Sequence, residues 1–361
     1  MKIGIIAHLK HPIRKPFMGG LEAFTHEVTS HLIARGHDVT LFASEQSDPE
    51  LGLRSILSDE DYNRQTLSRF PSHELVEDFI STHHAYLELM QDIDREGFDV
   101  IFNNSLNYVP ITMATLISTP MVTVLHTPPI FEMKRAAAQE QKIGKIRYVS
   151  VSKSNAVAWK PYISDCEIIS NGINLDKWDF HDRNDGNYVV WFGRIHPDKG
   201  THLAIEAAGL AGYPIKVAGS IADRHYFETY VRPLLGAGAE LLDHLDHAQL
   251  NKLIGGAAAS VITPCWEEPF GLVIAESLAC GTPVAGFARG ALPNLVCPET
   301  GRLTSSSDPQ DLAHCIAEAA RLDRGACRRR AEDRLSIETM ISSYEALFSE
   351  VAANRYLSHA V

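Results

Sequence analysis

Two carboxylates stand eight residues apart in the segment Trp266-Glu267-Glu268-Pro269-Phe270-Gly271-Leu272-Val273-Ile274-Ala275-Glu276. The apolar run after Gly271 reads as a helix. Glu268 then falls in the loop before it and Glu276 about one turn inside it, close to the same rim. Pro269 suits the turn into such a helix, and Gly271 lets a ligand approach the backbone. The free N–H groups of residues 270–273 at a helix N-terminus make a site for an anion. Acidic side chains beside that anion need hydroxyls to accept from. An anion together with hydroxyls describes a sugar phosphate.

A second segment, Phe192-Gly193-Arg194-Ile195-His196-Pro197-Asp198-Lys199-Gly200, carries two cations on one loop. A guanidinium and an ammonium together neutralise a diphosphate better than either alone. Fixed cations also stabilise charge that builds up on a leaving group. Met18-Gly19-Gly20 would allow close backbone approach to a ligand after the first strand. That loop lacks the GxGxxG spacing, so no nicotinamide cofactor is indicated. His126 stands at the end of an apolar run and is followed by Thr127-Pro128-Pro129.

These residues need strands and helices to hold them. In the first half, nearly continuous apolar runs at Ile3–His8, Asp38–Ser44, Asp99–Asn104, Met121–His126, Ile146–Ser152 and Cys166–Ser170 read as strands buried on both faces. Leu21–Arg35 has helical spacing through Leu21, Phe24, Val28 and Leu32 and stops at Gly36. A strand–helix–strand unit of this kind predicts a parallel, doubly wound sheet. The second half repeats the rhythm at Tyr188–Arg194, Ile215–Ser220, Glu240–Asp243, Ala259–Pro264, Pro283–Phe287 and Gly301–Thr304. Between them Asn171–Asn187 is rich in Asn, Asp and Gly and reads as an interdomain connection. The last helix, Ile337–Ala353, is apolar on one face through Ile337, Met340, Ile341, Tyr344, Leu347, Phe348 and Val351, and must dock on something. The expected fold class is α/β: two αβα domains with parallel sheets facing each other across a cleft, where ligands of such folds bind. The expected divisions are residues 1–170, the first domain; 171–187, the connection; 188–336, the second domain; and 337–361, the last helix.

Composition narrows the function classes. A chain of 361 residues suits two domains of about 100–200 residues each. Its net charge of −12 argues against a nucleic-acid binder, which needs a cationic surface. The six cysteines show neither CxxC spacing nor a Cys/His pattern, as expected of reduced thiols in the cytoplasm. The short apolar run after Lys2 reads as a strand, so no signal peptide is expected, and no run approaches the ~20 apolar residues of a membrane span.

The motifs EEPFGLVIAESLACGTPV and GRIHPDKG, with Asn171-Gly172-Ile173, Val151-Ser152-Lys153-Ser154 and Gly19-Gly20, resemble the retaining glycosyltransferases of family four, which have the GT-B fold. The resemblance spans nearly the whole chain. It implies two Rossmann-like domains, the first (1–170) binding the acceptor and the second (188–336) the nucleotide sugar, and a final helix (337–361) crossing back to pack on the first. It also implies a nucleotide-diphosphate sugar as co-substrate, a hydroxyl acceptor, a hexosyl transfer and no metal or other cofactor. By the same resemblance Arg194 and Lys199 bind the donor diphosphate and Glu276 the nucleotide ribose. Glu268 contacts the donor sugar, with the backbone of Phe270, Gly271 and Leu272 against sugar and phosphate. Gly19 and Gly20 abut the diphosphate, and His126 lies near the donor hexose at the reaction centre.

The chain departs from the family pattern in two places. Arg289-Gly290-Ala291-Leu292-Pro293-Asn294 has Ala291 for a second Gly and Asn294 for the common Glu, and Thr127 follows His126 where many relatives carry Asp. Other readings of single residues stay open. Glu268 and Glu276 also suit surface carboxylates near a helix start, and Arg194 with Lys199 suits a solvated charge pair. His126 also suits a satisfied core histidine, and Gly19-Gly20 a simple turn. Asp92-Ile93-Asp94 is a DxD read as exposed helix surface rather than a metal–nucleotide signature. The basic stretch within Phe131–Tyr148 would suit a phosphorylated acceptor or a weak contact with a membrane surface, and equally a solvated helix or loop. Base recognition is placed around Leu242–Leu245, and acceptor choice in N-terminal loops such as the irregular Glu45–Asp61. Two rivals remain: a sugar-nucleotide epimerase, and a catalytically silent sugar-nucleotide-binding protein.

Overall fold

The computed structural model describes residues 1–58, 71–236, 238–242 and 245–358. The expected strand end at Asp243, part of the base-recognition stretch (243–244) and the end of the irregular acidic stretch (59–61) lie outside them. The chain divides into two compact units.

The first unit takes Met1–Val151, Asn155–Ile169 and Ile341–Val361. Its seven strands are β1 (Lys2–Ala7), β2 (Asp38–Ser44), β3 (Leu53–Leu57), β4 (Val100–Asn104), β5 (Met121–Leu125), β6 (Ile146–Ser150) and β7 (Glu167–Ile168). They form one sheet in the order β3-β2-β1-β4-β5-β6-β7, and every pair is parallel. β4 and β5 are buried along their whole length, as strands of a sheet covered on both faces must be, and that burial takes in the polar Asn103, Asn104 and Thr123. β3 corrects the sequence reading, which left this stretch irregular. It is an edge strand with Arg54 and Ser55 exposed, so it lacks the apolar continuity that marks the central strands. The runs expected to end at His8, His126 and Ser152 leave the ladder one or two residues earlier.

The helix Ile337–Ser358 supplies the docking its one-sided pattern required. Ile341, Tyr344, Leu347, Phe348 and Val351 are buried. The Tyr344 and Phe348 rings meet Phe102 of β4 at 4.9 and 5.0 Å. At about 1.5–3 kcal/mol per fully buried large apolar side chain, these contacts bind the helix to the first sheet. Glu345 adds an ion pair with Arg35 and a hydrogen bond with His37 Nε2 at 2.9 Å.

The second unit takes Ser152–Ser154 and Ser170–Met340. Its strands are β8 (Val189–Phe192), β9 (Ile215–Ala218), β10 (Ala239–Leu242), β11 (Ser260–Ile262), β12 (Val284–Phe287) and β13 (Gly301–Thr304). The sheet order is β10-β9-β8-β11-β12-β13, again all parallel. Each sheet reverses its direction of winding once, at β1/β4 and at β8/β11. Ligands of open α/β sheets bind at the carboxyl ends of the strands beside such a switch.

Candidate functional site

In the second unit the loops after β8 and β11 are tied together by backbone. Thr263 Oγ1 donates to the carbonyls of Lys199 and Gly200 at 2.8 and 3.0 Å, and Cys265 N–H donates to Asp198 O at 2.7 Å. The Trp191 indole donates to Thr263 Oγ1 at 3.2 Å. Gly200 sits at φ +61°, and a Cβ there would come within 2.4 Å of Thr263 O, so only glycine lets the two loops meet.

This junction aims Lys199 at Glu268. The ammonium pairs with Glu268 Oε2 and lies 5.5 Å above the Trp266 ring. The Trp266 indole N–H donates to the same oxygen at 3.1 Å. The Glu268 backbone is held from the other side, because Ala291 N–H donates to its carbonyl at 2.8 Å. Gly290 N–H donates to Glu267 Oε2 at 2.8 Å. Gly290 sits at φ +56°, with its missing Cβ only 2.1 Å from Glu268 O. The Arg289–Asn294 departure therefore leaves a close-packed buttress. Ala291 is fully buried, and Asn294 is exposed, its carbonyl accepting from Arg330.

The helix Leu272–Ala279 starts beside this buttress, and Gly271 caps it with no side chain. The backbone N–H groups of Phe270, Gly271, Leu272 and Val273 find no acceptor among the described residues. They stay open for an anion. One turn on, the Glu276 carboxyl likewise has no partner among the described residues, and burial pushes its pKa up to about 7. Lys199, Glu268, Gly271 and Val273 line one hollow with Gly193 and Thr263. Arg194, Phe270, Leu272 and Glu276 are not among its lining residues. Arg194 is exposed on the loop after β8, and Phe270 is buried in the core. The sequence reading missed Trp266, Thr263 and the Glu267–Gly290 bond. The Trp266 N–H, two residues before a loop carboxylate, was the available signal.

In the first unit the switch point gathers a separate set. His8 follows β1, and its Nε2 lies 2.9 Å from Glu22 Oε1, in the first turn of the helix Gly20–Ala34. Burial works against the Glu22 charge, but the hydrogen bond and charge of His8, with a backbone hydrogen bond and the charge of His11, together outweigh it and hold the carboxyl below its usual range. Gly19 packs over the same carboxylate: a Cβ there would lie 3.1 Å from Glu22 Oε2. His126 follows β5, and its ring packs on Phe24 of that helix at 4.8 Å. Gly19, Gly20 and His126 are thus brought to one end of the sheet.

Burial, and then the charge of His8, push the His126 pKa down to about 3, so the ring is neutral near pH 7. Its Nε2 sits 2.8 Å from Asn104 Oδ1, which fixes the tautomer with Nε2–H donating. Asn104, rather than residue 127, orients the ring. Thr127 instead offers its carbonyl to the Trp159 indole at 2.8 Å.

The DxD reading needs a correction. Asp92 is on the surface and pairs with Arg95, but Asp94 is a loop anchor. It accepts from Ser118 N–H, Thr119 N–H and Thr119 Oγ1 at 2.7, 3.0 and 2.7 Å.

The chain matches two family models, Glycosyltransferase Family 4 over residues 18–177 and Glycosyl transferases group 1 over residues 173–334. It is 24% identical to a glycogen synthase of Mycobacterium tuberculosis over 360 residues, covering 87% of this chain and 85% of that one. It is 30% identical to a D-inositol 3-phosphate glycosyltransferase of Geodermatophilus obscurus over 217 residues, covering 52% and 48%. Among solved structures, sucrose-phosphate synthase from Thermosynechococcus elongatus superposes with a TM-score of 0.78 at 20% identity, covering 98% of this chain and 99% of that one. Anabaena HepE in complex with UDP and glucose superposes at 0.73 with 17% identity, covering 97% and 100%. Two parallel αβα units, family models over both and these structural neighbours lead to one conclusion: the chain belongs to glycosyltransferase family four and is a glycosyltransferase of the GT-B fold.

Proposed function

We propose that this enzyme transfers a hexose, with retention of anomeric configuration and without a metal ion, from a nucleoside diphosphate sugar to an acceptor hydroxyl. One observation carries the reading: Lys199, Glu268 and the open N-terminus of the helix Leu272–Ala279 surround a single hollow at the β8/β11 switch point. An ammonium and free N–H groups suit a diphosphate, and a carboxylate suits sugar hydroxyls. The complex of HepE with UDP and glucose supports the same ligand class.

In this reading Lys199, Arg194 and the backbone N–H groups of Phe270, Gly271 and Leu272 stabilise the departing diphosphate, which is where charge develops. That supply of positive charge removes the need for a cation. Glu268 accepts from the sugar hydroxyls and Glu276 from the ribose. Gly19 and Gly20 let backbone approach the diphosphate, and neutral His126 serves as a hydrogen-bonding group rather than a cation. The acceptor hydroxyl attacks the anomeric carbon from the leaving-group side, and its proton passes to a phosphate oxygen. No carboxylate need form a covalent sugar intermediate.

The test begins with thermal shifts for UDP-, ADP- and GDP-glucose, since a bound donor raises the melting temperature. The anomeric configuration of the transfer product is then read by NMR with and without EDTA. A retained anomer and EDTA-insensitive transfer are expected. An inverted anomer, loss with EDTA, or conversion of the donor to its epimer without an acceptor would overturn the reading.

The basic stretch is narrower in the fold than in the sequence. Lys145 donates to the Thr115 and Ile117 carbonyls, and Arg147 pairs with Glu350 and Glu167. Lys134, Arg135 and Lys142 remain: Lys142 donates to Gln139 Oε1 at 2.8 Å, and Lys134 and Arg135 are stacked near the exposed ring of Phe131. For this face we propose a weak contact with an anionic membrane surface. Co-sedimentation with phosphatidylglycerol vesicles, lost in Phe131→Ser, checks it.

A further inference from the structure

We propose that Trp266 is a positioning residue for the sugar-binding carboxylate. Its indole N–H holds Glu268 Oε2 in place, so that Oε1 is presented to a donor sugar hydroxyl after Lys199 turns to the diphosphate. This rests on the reading above, in which Glu268 takes the sugar.

Three observations support it. Lys199 Nζ and Trp266 Nε1 converge on one oxygen, Glu268 Oε2. The other oxygen, Oε1, has no hydrogen bond among the described residues, and Glu268 lines the hollow with Lys199. The Glu268 backbone is already immobilised by Ala291 N–H and by the Gly290 loop pinned to Glu267, so only the side-chain torsions remain to be set.

An arriving diphosphate changes that balance. It competes for the Lys199 ammonium and repels the Glu268 carboxylate. The Glu268 side chain is only 13% exposed, so losing its counter-ion inside the hollow leaves a poorly solvated charge. A neutral N–H on a stiff aromatic ring is drawn to the phosphate far less than an ammonium is. It stays on Oε2, holds the carboxylate against the repulsion and keeps the Oε1 direction constant. Trp266 thereby acts on the sugar through Glu268 and leaves recognition of the diphosphate to Lys199, Arg194 and the helix N-terminus.

Trp266→Phe keeps an aromatic ring near Lys199 and removes the N–H together with the rest of the indole's second ring. Calorimetry with UDP and UDP-glucose, or the ADP or GDP pair if wild type prefers it, separates the two halves of the donor. The variant is expected to bind the sugar nucleotide about tenfold more weakly, while affinity for the bare diphosphate stays within about twofold. In a Glu268→Ala background the same change is expected to add nothing. Trp266→His restores a ring N–H donor and is expected to recover part of the loss. Equal weakening of both ligands, no weakening, or a loss that persists without the Glu268 carboxylate would overturn the proposal. If Trp266→Phe fails to fold, Trp266→His is carried through the same two comparisons. Wild type that binds none of the three diphosphates refutes the donor-site reading itself, whatever Trp266 does.

Discussion

Lys199 and Glu268 stand 69 residues apart in the chain and form one ion pair through Oε2. The cation proposed for the diphosphate therefore neutralises the carboxylate proposed for the sugar. Both side chains are partly buried, at 26% and 13% exposure, so each relieves the other's desolvation. In the proposed donor complex this pair would be exchanged for two new ones, ammonium with phosphate and carboxylate with hydroxyl.

Arg194 tests the proposed leaving-group role apart from stability. It is exposed and makes no ion pair or hydrogen bond with any described residue. Arg194→Ala is expected to leave unfolding free energy within about 0.5 kcal/mol of wild type. Turnover should fall by about a hundredfold or more, through lost stabilisation of the leaving group. Urea melts and initial rates check both arms, and full transfer activity would sink the assigned role.

Glu276 predicts a pH signature. Its carboxyl titrates near 7 in the folded chain against 4.5 unfolded, so between those values the folded state binds more protons. The protonated form's contribution to stability is present below pH 4.5 and is lost as pH rises through 7. Glu276→Gln should therefore be more stable than wild type at pH 8 by about 1–3 kcal/mol. The two should converge toward pH 4.5. Nucleotide affinity of wild type should weaken as pH falls below 7, where the carboxylate proposed to accept from ribose is lost. Melting curves and calorimetry across pH 4.5–8 read both trends.

Tyr344 and Phe348 test the docking of the last helix. The Tyr344 hydroxyl is buried with no hydrogen-bond partner among the described residues. Tyr344→Phe should then leave the melting temperature unchanged or raise it, because it deletes an unsatisfied polar atom. Phe348→Ala should cost about 3–5 kcal/mol by opening a cavity against Phe102. A destabilised Tyr344→Phe would contradict the packing.

Gly290 tests the buttress behind Glu268. A methyl group there must displace the Glu268 backbone and also occupy a left-handed backbone conformation. Gly290→Ala should destabilise the chain by about 1–3 kcal/mol. It should also weaken sugar-nucleotide binding, because Glu268 moves with its backbone. Gly209→Ala, on a helix with open space at the Cβ, is the control and should be harmless.

Motif spacing alone singled out the residues proposed for the donor site. Arg194, Lys199, Glu268 and Glu276 lie within short contiguous segments whose strand, loop and helix order is local. The helix Gly20–Ala34 and the docking face of Ile337–Ser358 were legible for the same reason, since helical periodicity is written in neighbouring residues. The edge strand Leu53–Leu57 was not, because its polar residues reflect an exposed position in the sheet rather than a local preference. Asp94 was misread because its three hydrogen bonds come from Ser118 and Thr119, a loop that sequence reading did not place beside it.

The sequence by itself determined the fold class, the family and which residue types could meet a diphosphate and hydroxyls. Tertiary structure alone decided that Lys199 rests on Glu268, that Trp266 shares the same oxygen, that Asn104 rather than residue 127 orients His126, and that Glu276 is desolvated enough to titrate near 7. Residue order specifies local conformation. Pairing, charge state and ring orientation depend on which distant segments exclude water from one another, and that appears only when β8 lies beside β11 and β1 beside β4.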